Sequence, residues 1–183
     1  MTSKITPAPE GLELVRRFAN TLDIEEGTDA LAHVEEARQW LKENDLDGDD
    51  LSHAELEYLT TLREAMRDAL SANHSGGELT EETLAVLNQA AAAARISPEL
   101  HGSEVKLVAH ARGIEGAVGS LLIEMLEAMR AGIWARLKIC HNDTCQWAFY
   151  DRSRARSGKW CSMSICGNRT KQQAFRERHS ADS

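Results

Sequence analysis

The amino-acid sequence predicts a mainly α-helical protein with a small β-hairpin, ending in a compact module built around four cysteines. Three observations predict it. Apolar residues in positions 1–95 recur at helical spacing. One later stretch, EVKLVAHA, alternates as a strand does. All four cysteines fall between positions 140 and 166. A chain of 183 residues suits one domain with an appendage or two small domains. The expected division is a helical domain over 1–138, with a hairpin near 96–111, and a cysteine module over 139–183.

The helices follow in order. In GLELVRRFANTLDI, Leu12, Val15, Phe18, Ala19 and Leu22 share one stripe. In TDALAHVEEARQWLKEN, Thr28 is placed to cap, and Leu31, Val34 and Leu41 share a face. Ser52 and Glu55 have the spacing of a capping box, with Leu51 set to staple onto Leu56. Leu56, Leu59, Met66 and Leu70 carry the apolar face of that third helix. After the NHSGG loop, Thr80 caps an alanine-rich helix reaching about Arg95, with Leu79 set against Leu84. The alternating stretch around Val105 and Leu107, with Pro98 and Gly102 before it, reads as the hairpin. A long helix over 114–138 is expected next, its stripe made by Val118, Leu121, Leu122, Met125, Met129, Ile133 and Leu137. The acidic stretch ENDLDGDDLSHAE mimics a calcium loop. Its twelfth position is Ala54 where a bidentate glutamate is needed, so it reads as a helix-to-helix turn.

Composition narrows the function. The N-terminal MTSKITPAPE is polar and proline-bearing, unlike a signal peptide. No apolar run approaches the roughly 18 residues of a membrane span. A soluble cytoplasmic protein is expected, with its thiols reduced. The net charge of −8 conceals an asymmetry. Residues 136–183 carry ten Lys or Arg against four Asp or Glu, so that end is basic while the remainder is strongly acidic. Such asymmetry points one end toward a polyanion, although acidic helices are also simply soluble.

The cysteines stand as C-x4-C, fifteen residues, then C-x4-C: Cys140, Cys145, Cys161 and Cys166. Two close pairs with a returning segment between them are the pattern of a four-thiolate zinc site. A hairpin is expected between the pairs, with WAFYDRS as one strand, RARSG as the turn and KWC as the return. The second pair should open the last helix, GNRTKQQAFRERH, whose positive end would stabilise thiolates. An iron–sulfur cluster also takes four thiolates, and a disulfide is disfavoured in a reducing cell. Four thiolates leave no open position for water, so the zinc is expected to be structural. His141 and His179 are expected to be bystanders.

These residues resemble a known family. C-HNDT-C-QWAFYDRS, KWCSMSICGNR and the basic tail are similar to the CGNR zinc finger, named for the motif that stands here as Cys166-Gly167-Asn168-Arg169. Its members join the finger to a helical region called ABATE, described as a stress-induced transcription regulator. FANTLD, from Phe18 to Asp23, resembles that region's opening motif. The resemblance implies zinc held by Cys140, Cys145, Cys161 and Cys166, and a DNA-binding role.

The candidate nucleic-acid contacts are Arg169, Lys171, Gln172 and Arg176 on the last helix, and Arg152, Arg154, Arg156 and Lys159 on the segment between the cysteine pairs. Arginine and glutamine suit base edges and lysine suits phosphate. Phe175 and Ile165 are expected to pack on Trp147 or Trp160. The competing expectations are RNA, or a finger docked onto the chain's own acidic region. No phosphate loop, nucleophile elbow or HExxH appears, so an enzyme is not expected. His33, His53, His74, His101 and His110 are scattered and read as surface or core. Phe18, Trp40, Tyr58, Met66 and Trp134 could line a pocket for a small-molecule effector, though such spacing is commoner in a core. A homodimer through the 114–138 helix is a further possibility.

Overall fold

The computed structural model describes residues 7–172 and 176. In chain order it runs α1 (Glu10–Ala19), β1 (Leu22–Asp23), β2 (Thr28–Asp29), α2 (Val34–Glu43), α3 (His53–Ser75) and α4 (Glu81–Ala93). Then come β3 (Ile96–His101), β4 (Glu104–Ala109), α5 (Gly113–Arg130), a 3-10 turn (Trp134–Arg136), β5 (Leu137–Ile139), β6 (Ala148–Tyr150) and a π-type turn (Met163–Gly167). The strands form three separate antiparallel pairs, β1–β2, β3–β4 and β5–β6. No helix is long and apolar enough to cross a membrane among the described residues.

The long helix α3 is the hub, packing against α1, α2, α4 and β5. Its start is set locally. Ser52 Oγ accepts from the Glu55 amide at 3.3 Å, and the Ser52 amide donates back to Glu55 at 2.8 Å, completing the expected capping box. Thr80 caps α4 in the same way, accepting from the Thr83 amide at 3.1 Å. Leu59, Leu62, Met66 and Leu70 of α3 are fully buried in one core with Val15 and Phe18 of α1 and Val118 and Leu121 of α5. Each such side chain contributes on the order of 2 kcal/mol of transfer free energy. Val118, Leu121, Leu122 and Met125 of the α5 stripe are thus taken up by the chain's own core, while Met129 stays exposed. The β3–β4 hairpin forms where alternation predicts it, turning at Gly102, whose φ is +66°.

Four local expectations are corrected. First, α1 stops at Ala19, and Leu22 lies in β1. Thr21 Oγ1 donates to the Phe18 carbonyl at 2.8 Å and closes the last turn. Second, Thr28 belongs to β2, and α2 begins at Val34 after His33 with no side-chain cap. Third, Leu84 stays exposed, away from the core that a staple would join. Fourth, α5 ends at Arg130 and not near 138. Gly132 takes φ +67°, and Ile133 and Gly132 donate back to Ala128 and Met129 at 3.0 and 3.1 Å. That pairing terminates a helix on a left-handed glycine. Ile133 and Leu137 kept helical spacing in the sequence but pack from the turn and from β5. The acidic turn after α2 serves the fold: Asp47 accepts from the Gly113 amide at 2.9 Å, at the start of α5.

Helix α3 also buries two arginines that share its apolar stripe. Arg63 Nη1 donates to Asp29 at 2.6 Å and to Thr21 at 3.3 Å, so it braces the β1–β2 turn. Arg67 donates to the Ala19 carbonyl at 2.9 Å and to the Gln146 carbonyl at 3.3 Å. Burial lowers the Arg67 pKa, but carbonyl partners keep its charge satisfied.

A second buried ion pair anchors the last third of the chain. Lys138 of β5, 3 % exposed, donates to Asp151 at 3.0 Å and to the Arg156 carbonyl at 2.5 Å. Asp151 also accepts from the amides of Ser153 and Gly158 at 2.9 and 2.7 Å. Burial opposes its ionisation, but the bonds from Ser153, Lys138 and Gly158 outweigh that and bring its pKa from 3.8 to about 2. A carboxyl with a depressed pKa stabilises the fold above its unfolded value and loses that contribution as pH falls through the folded one. Thermal unfolding of the wild type should therefore lose stability between about pH 4 and pH 2 through this group. Asp151→Asn should remove that portion of the pH dependence. At neutral pH it should cost about 3 kcal/mol, because the Lys138 ammonium is left buried without its counter-ion.

Candidate metal centre and basic face

Strands β5 and β6 carry the first cysteine pair on the loop that joins them. The expected hairpin within 147–160 does not form; the strand at Ala148–Tyr150 pairs backwards, Lys138 opposite Phe149. The alternation itself holds. Ala148 and Tyr150 face the main core, while Phe149 and Trp147 face a second, smaller core with Trp160, Ile165 and the cysteines. The partner strand is β5, whose Leu137 continues the helical spacing of α5 in the sequence. Phe175, expected in that small core, lies outside the described residues, as do Arg178 and His179.

The loop is shaped to turn amides toward sulfur. Asn142 Oδ1 accepts from the Thr144 amide at 3.2 Å, and the Asn142 carbonyl accepts from the amides of Cys145 and Gln146 at 2.8 and 3.0 Å. Gln146 takes φ +48°, which brings the Trp147 amide onto the Cys145 sulfur, while the Asn142 and Cys161 amides reach Cys140. Of the second pair, Cys161 lies just before a π-type turn and Cys166 lies on it, and residues 168–172 continue from that turn as α-helix. Gly167 is a close approach: a Cβ there would meet the Met163 sulfur at 2.6 Å.

The four Sγ atoms lie within 4.8 Å of one another. Cys145–Cys161 and Cys161–Cys166 are 3.7 and 3.6 Å apart. These separations exceed a disulfide bond, about 2.05 Å, and all four thiols are free. They match the edges of a tetrahedron around an ion about 2.3 Å from each sulfur, which are about 3.8 Å long. Cys140, Cys145 and Cys166 are buried and Cys161 is half-buried. The donor set and its spacing fit a thiophilic cation.

The ionisation of the cluster agrees. Hydrogen bonds from the Cys145 and Cys161 thiols hold Cys140 as the thiolate, down to about 2. Cys145 is correspondingly pushed up to about 12, and Cys161 is also raised, each donating to Cys140. A divalent cation among the sulfurs would favour thiolates and release thiol protons as it binds.

The finger does not stand free of the helices. Asn20, just past α1, brackets the β6 edge: its Nδ2 donates to the Ala148 carbonyl at 2.9 Å and its Oδ1 accepts from the Ala148 amide at 2.7 Å. Asn73 of α3 donates to the carbonyls of Trp134 and Leu137 at 3.0 and 2.8 Å. The His74 ring lies tilted against His141 with centroids 3.9 Å apart, and burial, with His141 and Lys138 nearby, lowers its pKa. The sequence reading does not single out Asn20, Arg67 or Asn73, and it places His74 only among scattered surface or core histidines. Arg63 and Arg67 had a readable signal, since both fall among Leu59, Leu62, Met66 and Leu70. Nothing local marks Asn20 as reaching a residue 128 positions away.

The predicted nucleic-acid residues divide into two groups, all exposed. Arg152, Arg154, Arg156 and Lys159 lie on the segment that Asp151 and Lys138 organise. Within it, Arg152 donates to the Pro7 carbonyl at 2.7 Å and lies 5.7 Å over the Tyr150 ring. Arg156 sits at φ +53°. Arg169, Lys171, Gln172 and Arg176 follow the second cysteine pair, and Arg169 pairs with Glu25. Of the residues considered for an effector pocket, Phe18, Met66 and Trp134 are buried in the core. Trp40 instead lines an open cleft of about 830 Å³, together with Trp147, Asp23 and Glu36.

Comparison with known families agrees with this arrangement. Residues 136–179 match the family described as "CGNR zinc finger". Residues 12–132 match ABATE, described as "Putative stress-induced transcription regulator". No curated protein matches the chain. With two thirds of its length inside the second match and the cysteine cluster inside the first, the chain belongs to the ABATE family and carries a CGNR zinc finger at its C-terminal end.

Proposed function

We propose that this protein is a cytoplasmic transcription regulator whose C-terminal finger, closed by one structural zinc ion, binds DNA, while the helical domain regulates it. The observation that carries the reading is the convergence of four sulfurs within 4.8 Å beneath a surface of exposed arginine and lysine. Cys140, Cys145, Cys161 and Cys166 would hold the ion, which supplies charge compensation and a covalent-like crosslink in place of a large core. Four thiolates leave no site for a reacting water, so the reading is a binding protein and not an enzyme. The exposed cations serve the phosphate backbone first, as long flexible charges on a rigid support do. Gln172 and Arg169 are the side chains with base-reading chemistry.

A second reading has its own observation. The brackets from Asn20, Arg67 and Asn73 hold the finger against the helices, as a module with only a docking role would require.

Purified protein should contain one zinc per chain, and its loading should release protons. Cys166→Ser should lower zinc stoichiometry and unfold the finger, read as exposure of Trp147 and Trp160, while most helical circular dichroism persists. Full zinc content and an unchanged finger in that variant would refute the four-thiolate site. For DNA, affinity for a mixed-sequence duplex should fall steeply with salt, with a log–log slope near about −5 if six or so phosphates are contacted. Arg154→Gln should reduce the slope by about 1. Absence of duplex binding at low salt would select the docking reading.

A further inference from the structure

Arg169 differs from the other exposed cations of the finger. Among the described residues, it is the one with a carboxylate within ion-pair distance, and that carboxylate belongs to Glu25, 144 positions earlier. Glu25 lies in the four-residue turn between β1 and β2. The turn is braced. Gly27 takes φ +67°, the Glu26 amide donates to Asp23 at 3.0 Å, and the Ala30 amide donates to the Thr21 carbonyl at 2.8 Å. Behind it, buried Arg63 ties Thr21 and Asp29 to α3. The same segment grips the finger a second time through Asn20 and Ala148. Glu25 is thus presented to Arg169 from a supported position.

Resting on the DNA reading above, we propose that Glu25 is an intramolecular stand-in for a DNA phosphate. Its carboxylate occupies Arg169 in the free protein and must give way when Arg169 takes a phosphate. Glu25 holds Nη1 of Arg169, and a phosphate drawn to the same guanidinium would meet that carboxylate's negative charge, so the two pairings compete. Both side chains are partly exposed, so the latch adjusts affinity and does not abolish binding. The device makes the acidic helical domain a brake on its own basic finger. A ligand or partner that moved the β1–β2 turn would release it.

The test uses full-length, zinc-loaded protein and a fluorescent mixed-sequence duplex at low salt, with Glu25→Gln, Arg169→Gln and the double variant. Glu25→Gln should bind about two- to fivefold more tightly than wild type, the weight of an exposed ion pair. In the Arg169→Gln background the same change should have no effect. Equal binding by wild type and Glu25→Gln overturns the latch alone. A gain that persists without Arg169 also overturns it, since the carboxylate would then act only as general repulsion. Failure of both wild type and Glu25→Gln to bind would remove the DNA reading and the latch with it.

Discussion

Four sulfurs within 4.8 Å of one another cannot all carry charge unless a cation lies among them. The C-terminal module depends on that constraint. Its own apolar core consists of little more than Phe149, Ile165 and two tryptophans around the thiols. So small a core cannot offset the conformational entropy of ordering the segment, and a metal crosslink at the cysteines would supply the difference. The amides aimed at Cys140 and Cys145 show a backbone already arranged to support thiolates.

The module also borrows stability from the helices. The two faces of β5 and β6 serve two cores: Leu137, Ile139 and Ala148 join the main one, Phe149 and the cysteines the small one. Polar groups at the end of α1 and on α3 then satisfy finger backbone that solvent would otherwise have to reach. Asn20 is the clearest case, completing the edge of β6 as a neighbouring strand would. A change of packing within the helical domain therefore has a physical route to the finger, through Asn20, Arg67 and Asn73. Buried charge plays a matching part on the other side, where Lys138 and Asp151 hold the arginine-bearing segment in one shape.

Much of the helical layer was legible because it depends on local chemistry. The capping box at Ser52, the cap at Thr80 and the β3–β4 alternation involve neighbours in sequence, and each forms where its pattern stands. The long helix misled for a physical reason. Ile133 and Leu137 repeat at helical spacing, yet Gly132 stops α5 and both side chains reach the core from other backbone geometry. The same error concealed β5, and with it the partner of the finger strand.

The sequence by itself determined the class of protein, the cysteine spacing suited to one tetrahedral ion, and the concentration of positive charge around it, because these follow from residue identity and short-range spacing. Tertiary structure alone decided which strand closes the finger, which arginines are buried as braces and which remain exposed, and that Glu25 meets Arg169. Those outcomes require groups as far as 144 positions apart to share one surface, and no local preference encodes that meeting; it follows from how α1 and α3 pack.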